Sequence, residues 1–260
     1  MDLGIISKEF YIGRYLYLTA ELRKLPKIEF TRIGDYDAVS FFVTDTKTGA
    51  VKRRRITASN PKWAEYSSIA AKRSKLKTQL NKTLACWKKE YRGNLKDIAS
   101  SYEINRHKNE TYTFAFWESL KEDSNPYSKD KIVPHDCIQM RSLFEADVAE
   151  ILDELGLDVK YEVCLVFGNK KVYPDFAINL PEYDRCIFIE AMGMLDSMGY
   201  VNSNSYKLDK YVNGGLYPNR DFAVISGDYD YRPDHDTIRR IIGVLLDAIA
   251  RQYLVKKSSC

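Results

Sequence analysis

The sequence predicts a fold of α/β or α+β type: a central mixed β-sheet flanked by helices in the C-terminal half, preceded by a small antiparallel β unit and a long basic helix. Three observations predict it. Apolar residues recur at helical spacing over long stretches, most clearly at 61–91 and 234–255. Short runs rich in β-branched and aromatic residues stand between turn signals. After residue 140 the elements run helix, three strands, helix, strand, helix, an order that gives a sheet with helices on its faces.

From the N-terminus, residues 9–24 carry Phe10, Ile12, Tyr15, Leu16 and Leu22 at helical spacing, and the helix ends before Pro26. Residues 28–33 and 38–44 read as strands around the turn Gly34-Asp35-Tyr36-Asp37, and 51–57 (VKRRRIT) as a short basic strand. Asn60-Pro61 opens the long helix with an N-cap residue and a proline at its first position. Its apolar stripe runs through Trp63, Tyr66, Ile69, Leu76, Leu80, Leu84 and Trp87, and lysines crowd the other face until Gly93-Asn94. Residues 94–134 are mixed short pieces broken at Asn125-Pro126 and Pro134, and the expected boundary lies near 134, giving domains 1–134 and 135–260. Residues 142–155 form a helix that Gly156 stops. Strands at 160–167 and 171–178 join through Gly168-Asn169, and 185–190 (RCIFIE), apolar nearly throughout, is central. A helix at 205–213, a strand at 221–226 and a helix at 234–255 complete the chain.

The 45% hydrophobic content supports a core and excludes global disorder. No apolar run reaches the ~18–20 residues of a membrane span, so no membrane partner is expected. MDLGIISKEF does not read as a secretory signal. Five scattered cysteines (Cys86, Cys137, Cys164, Cys186, Cys260) fit reduced thiols in a cytoplasm, and neither they nor three distant histidines have zinc-ligand spacing. Residues 1–134 hold 26 Lys and Arg against 16 Asp and Glu, and residues 135–260 hold 14 against 20. The basic half suits a polyanion, of which nucleic acid is the commonest; a Lys-rich helix that is merely well solvated gives the same count. The acidic half would repel phosphate unless a cation intervened.

Three carboxylates stand where burial rules would not put them. Glu145 lies on the inner stripe of its helix with Val148, Ala149 and Leu152; Asp175 lies within a strand between Pro174 and Phe176; Glu190 ends the strand Cys186-Ile187-Phe188-Ile189. Each has a plainer reading. Glu145 could close a capping box with Ser142, Asp175 could mark a strand edge or bulge, and Glu190 could sit at an exposed rim. Brought together they would repel one another and need a cation, and hard oxygen ligands select Mg²⁺ or Mn²⁺.

The order of these residues resembles the PD-(D/E)XK nuclease superfamily. It is similar in particular to a group of bacterial proteins of that superfamily through Arg141-Ser142-Leu143-Phe144-Glu145, Tyr173-Pro174-Asp175-Phe176 and Glu190-Ala191-Met192-Gly193-Met194, with Asn125-Pro126-Tyr127 ahead of them. The resemblance covers roughly residues 125–255. It implies a restriction-endonuclease-like sheet and metal-assisted phosphodiester hydrolysis, most often in DNA, with Glu145, Asp175 and Glu190 as metal carboxylates. One position departs: the superfamily's lysine two residues after Glu190 is Met192 here. Lys207-Leu208-Asp209-Lys210-Tyr211 looks like the Gln-x-x-x-Tyr helix of RecB-like exonucleases, which makes Lys207 the expected replacement and Tyr211, four residues on, its supporting neighbour. Lys52, Arg53, Arg54 and Arg55, with Lys72, Arg73, Lys75 and Lys77 of the long helix, are the expected backbone clamp. Because of Met192 two alternatives stay open: a catalytically inactive nucleic-acid-binding module and a protein-interaction factor. A homodimer or protein partner is compatible with each reading.

Overall fold

A computed structural model describes residues 6–106, 111–127, 132–135, 138–193, 198–228 and 230–257, and within them the chain is mixed α+β. It divides into two compact units. The small unit is Tyr17–Lys82; the large unit is Met1–Leu16 with Thr83–Cys260. The boundary expected near residue 134 therefore falls inside the large unit. Helices α1 (Lys8–Lys24) and α2 (Trp63–Glu90) each pass from one unit into the other. Phe10 and Tyr11 of α1 and Cys86 and Trp87 of α2 belong to the same core as the C-terminal sheet. Breakers such as Asn125-Pro126 mark a loop, whereas a core ends where apolar packing ends.

The small unit is an antiparallel meander of β1 (Glu29–Ile33), β2 (Tyr36–Thr44) and β3 (Val51–Thr57). Gly34 at φ +57° makes the first turn, a conformation that L side chains adopt only with strain. Val39, Phe41 and Ile56 share one face, as the period of two requires, and pack with Ile28 against Trp63, Tyr66, Ile69 and Ala70. Asn60 Oδ1 accepts from the Lys62 amide at 2.9 Å just ahead of α2.

The large unit continues with α3 (Leu95–Ala99), β4 (Tyr102–Ile104), α4 (Phe114–Ser119), the hairpin β5 (Val133–His135) and β6 (Ile138–Met140), and α5 (Leu143–Glu154). Next come β7 (Asp158–Tyr161), β8 (Leu165–Phe167), β9 (Lys170–Val172), β10 (Phe176–Leu180), β11 (Arg185–Met192), α6 (Met198–Asn213), β12 (Phe222–Ser226), α7 (His235–Tyr253) and β13 (Leu254–Lys256), the last paired with β4. The main sheet has the order β12-β11-β10-β7; β11 and β12 are parallel and the other pairs antiparallel, which makes it mixed. Its two faces feed two cores. Phe176, Ile178, Leu180, Ile187, Ile189 and Ala191 pack with α5 and α7; Ala177, Cys186, Phe188 and Phe222 pack with Tyr211 of α6 and, at the margin, Phe116 and Trp117 of α4. Gly156, at φ +69°, ends α5 as expected, its amide bonding Asp153 O at 2.9 Å.

One expected element is rebuilt. The long hairpin read at 160–167 and 171–178 is broken on both arms at one level. Glu162 adopts φ +47°, Pro174 has no amide hydrogen to give a ladder, and the Glu162 amide bonds Asp175 O at 2.9 Å. The tip, β8 and β9, is thereby released as its own two-stranded ribbon, with Gly168 (φ +62°) at its turn.

Candidate active site

The break in the hairpin creates the site. Asp175 is not within a strand, as expected, but in the bend just before β10. The β10–β11 register places Phe176 opposite Ile189, so Asp175 stands opposite Glu190. Alternation along both strands puts this pair on the α6 face, together with Ala177, Cys186 and Phe188. Two carboxylates thus face one another at the edge of an apolar layer, where each fully buried Ile or Phe contributes roughly 1.5–3 kcal/mol of transfer free energy. Several such residues are needed to offset one buried charge, whose effective cost is several kcal/mol.

Helix α6 supplies the groups that meet them. Lys207 Nζ lies 2.5 Å from Glu190 Oε2 and 3.9 Å from Asp175 Oδ1. The Tyr211 hydroxyl donates to Glu190 Oε1. Lys207 and Tyr211, one turn apart, reach the same carboxylate, as i and i+4 residues on one helix face can. Lys210 is displaced around the helix and sits over the Tyr206 ring at 4.3 Å. Met192 is buried at the end of β11 and brings no charge. The Ala191 amide donates to Asp175 Oδ2 at 2.7 Å, fixing that carboxylate against the next strand.

Burial is what governs Glu190. It is 1% exposed, and desolvation above all pushes its carboxyl up from 4.5 to about 8; Lys207 opposes the shift, Asp175 adds to it and the Tyr211 hydrogen bond lowers it. Burial, then the charge of Asp175, likewise raises Glu145 to about 6.

The oxygens of Glu145 are taken by other donors, although the charge of Asp175 reaches it. Glu145 comes from α5, which packs on the opposite face of the sheet. Its Oε1 accepts from Ser142 Oγ at 3.1 Å, and its Oε2 from the Tyr161 hydroxyl at 2.5 Å and the Arg141 amide at 3.0 Å. Ser142 Oγ in turn accepts from the Glu145 amide at 3.1 Å. The plainer reading of Glu145 as part of a helix cap is therefore realised, and both of its oxygens already have donors.

Tyr161 gives no signal in the sequence, because an aromatic residue in a strand is ordinary. The motifs also meet in a way their spacing does not disclose. Arg141 Nε and Asn125 Nδ2 both donate to Glu162 Oε1, at 2.5 and 2.6 Å, and Arg141 NH2 donates to Tyr127 O at 2.7 Å. They tie the loop before α5 to the residue that kinks β7. Met194 of the third motif, Cys137 and Cys260 lie outside the described residues; Cys86, Cys164 and Cys186 are free thiols.

Among the described residues no group of three or more His, Cys, Asp or Glu side chains is arranged to hold a metal ion. The donors present are two facing carboxylates, Asp175 and Glu190, with Glu145 offset. This set fits Mg²⁺ or Mn²⁺ in the form those ions commonly take, with one or two protein carboxylates and the other positions filled by water and substrate phosphate. It does not fit a closed three-carboxylate cage.

The expected clamp residues all belong to the small unit. Residues 17–82 hold 15 Lys and Arg against 6 Asp and Glu, a net of +9, and the other 194 residues hold 25 against 30, a net of −5. The structure sorts them by task. Arg73 NH1 donates to Leu22 O at 3.0 Å and Lys77 pairs with Glu29, so these two brace the unit. Lys52 lies 3.8 Å from Asp45. Lys72, Lys75, Arg53, Arg54 and Arg55 are exposed. The three arginines do not form one patch: Arg54, paired with Phe41, lies on the α2 face, while Arg53 and Arg55 lie on the other.

No family model, curated protein or solved structure matches the chain. No helix among the described residues is long and apolar enough to cross a membrane.

Proposed function

We propose that the large unit is a metal-dependent nuclease of the PD-(D/E)XK type with a restriction-endonuclease-like sheet, acting on phosphodiester bonds and most often on DNA. The observation that carries this reading is the meeting of Asp175, Glu190 and Lys207 at the kinked end of β10 and β11. Asp175 and Glu190 would hold Mg²⁺ or Mn²⁺, which when bound supplies an acidified water and charge neutralisation at the scissile phosphate. The residues do the rest. Asp175 is pinned by the Ala191 amide, and Glu190 is oriented by Tyr211. Lys207 brings a cation within reach of both carboxylates, the place from which it would orient the attacking water or stabilise charge on the phosphate. Glu145 would stand on the α5 side as a carboxylate whose oxygens already accept from Ser142, Tyr161 and the Arg141 amide, so that its contact with the metal would run through water. The exposed cations of the small unit would hold the nucleic-acid backbone.

A second reading draws on the same ion pair. Lys207 already answers the Glu190 charge internally, as it would in a nucleic-acid-binding module that does not cleave. One assay separates the two. The protein is incubated with supercoiled, linear and single-stranded DNA and with RNA, in Mg²⁺ or Mn²⁺, with and without EDTA. Metal-dependent cleavage that EDTA stops supports the nuclease. Salt-sensitive retardation without cleavage supports the binding module. Absence of both at low salt points to a protein partner.

A further inference from the structure

The small unit carries a sheet face that the metal chemistry does not use. Register and alternation place Ile33, Tyr36, Phe42, Arg53 and Arg55 on the face of β1–β3 turned away from Val39, Phe41 and Ile56, which pack on α2. Tyr36 is 73% exposed and Phe42 63%, an unusual state for two large rings on one strand. The small residues Ala38 and Ser40 separate them and are themselves buried, Ser40 beneath Arg53, whose NH2 bonds its Oγ at 3.0 Å, so the exposed surface is the two rings and the guanidiniums. At ~3.3 Å per residue the two rings stand about 20 Å apart along β2, the reach of a few nucleotides.

Charge decides what this face would take. The acidic residues of the sheet are already answered: Glu29 by Lys77, Asp37 by Arg32 at 3.6 Å, and Asp45 by Lys52 at 3.8 Å. The unit's surplus is cationic, so an isologous dimer through this face would set Arg53 and Arg55 against their own copies. A polyanion gains from the same surplus. A duplex would satisfy the arginines but hides the faces of its bases, leaving Tyr36 and Phe42 exposed. A single strand satisfies both, with phosphates on the guanidiniums and bases stacked on the rings.

We propose that this face of the small unit binds single-stranded nucleic acid by base stacking on Tyr36 and Phe42 and phosphate contact to Arg53 and Arg55. The proposal is independent of the metal site, because binding is measured in EDTA, where no metal-assisted cleavage occurs. The probe is a fluorescein-labelled oligothymidylate of about 12 nucleotides, read by fluorescence anisotropy against the full chain. A duplex of equal length and an abasic strand with the same phosphates serve as comparisons. The oligothymidylate should bind at least ~10-fold more tightly than either. Replacing Tyr36 and Phe42 together by alanine should reduce its affinity by ~10–100-fold without changing the slope of log K against log salt. Phe42→Trp, which keeps a stacking surface, should retain wild-type affinity, and an unchanged melting temperature of the alanine variant shows that its loss is not loss of fold. Replacing Arg53 and Arg55 by alanine should flatten the slope by about 1.4, at ~0.7 for each single-strand phosphate engaged. Equal affinity for the abasic strand or the duplex overturns the proposal. So does an unaffected Tyr36/Phe42 variant, or a concentration-dependent dimer in sedimentation that the same variant abolishes.

Discussion

The large unit buries charged side chains at its candidate site, whereas the small unit displays its own around a small core cluster built on Ile28, Val39 and Ala70. Glu190 lies among apolar side chains and is answered by Lys207 and Tyr211; Arg53, Arg54 and Arg55 stand in solvent. The difference is one of dielectric. A carboxylate in an apolar layer interacts strongly with each neighbour and shifts its proton affinity, so it can hold a metal or a proton. An arginine in water interacts weakly with any one neighbour but adds to a summed field that falls with salt. The two units should therefore respond to different variables, the large one to pH and metal, the small one to ionic strength.

The largest effect expected is on cleavage. Asp175→Asn or Glu190→Gln should lower the rate by at least ~10³-fold if, as proposed, each is a metal carboxylate. The melting temperature of Asp175→Asn should stay equal or rise, since a like charge beside Glu190 and Glu145 is removed. Wild-type activity in both variants would remove the pair from the mechanism and leave the buried charges without a chemical role.

Next comes the lysine. Lys207→Ala should lower the rate at saturating substrate by at least ~10²-fold, with little change in affinity, and Lys210→Ala, whose ammonium lies over Tyr206, should be near wild type. An equal drop in both variants would mean that α6 contributes charge without position, and the contrast between the units would weaken.

The pH dependence sharpens the contrast further. Glu190 holds its proton to about 8 in the folded protein against 4.5 ordinarily. Between those values the folded state binds more proton than the unfolded chain, so stability falls as pH rises through that window. In metal-free buffer the melting temperature should decline from pH 5 to 8, and Glu190→Gln should flatten the decline. A wild-type curve already flat there would place Glu190 in a wetter environment than its burial indicates.

The smallest effect belongs to the surface. Replacing Arg53, Arg54 and Arg55 together by alanine should weaken binding of any nucleic-acid sequence and reduce the salt slope by about 0.7–0.9 for each phosphate no longer neutralised. Because Arg54 lies on the α2 face, Arg54→Ala alone should give less than a third of the combined change. An unchanged slope in the triple variant would mean that the field of the small unit is not used for nucleic acid.

Much of the fold is legible because apolar periodicity reports local structure directly. The meander, the long helix, α5 with its Ser142 cap and Gly156 stop, and the central strand β11 stand close to where the pattern puts them. Short or non-local pieces escape it: β13 against β4, whose three-residue strands carry too little pattern to read, and the division of the chain, which cuts across α1 and α2 and leaves α2 serving two cores. The kink at Glu162 is hidden because a positive φ at a non-glycine residue leaves no mark in composition. Of the candidate site, Asp175, Glu190, Lys207 and Tyr211 do come together. Glu145 sits with its cap and with Tyr161 instead.

The sequence by itself determined which residues carry charge into apolar stretches and which element each belongs to, because period and burial tendency are local properties of the chain. It also set the basic surplus of the first half. Only the tertiary structure decided that Asp175 stands opposite Glu190, that Lys207 reaches both, and that it is Arg54, not Arg53 or Arg55, that faces α2. Those outcomes depend on strand register and on which helix covers which face, and both are fixed by packing between segments far apart in the chain.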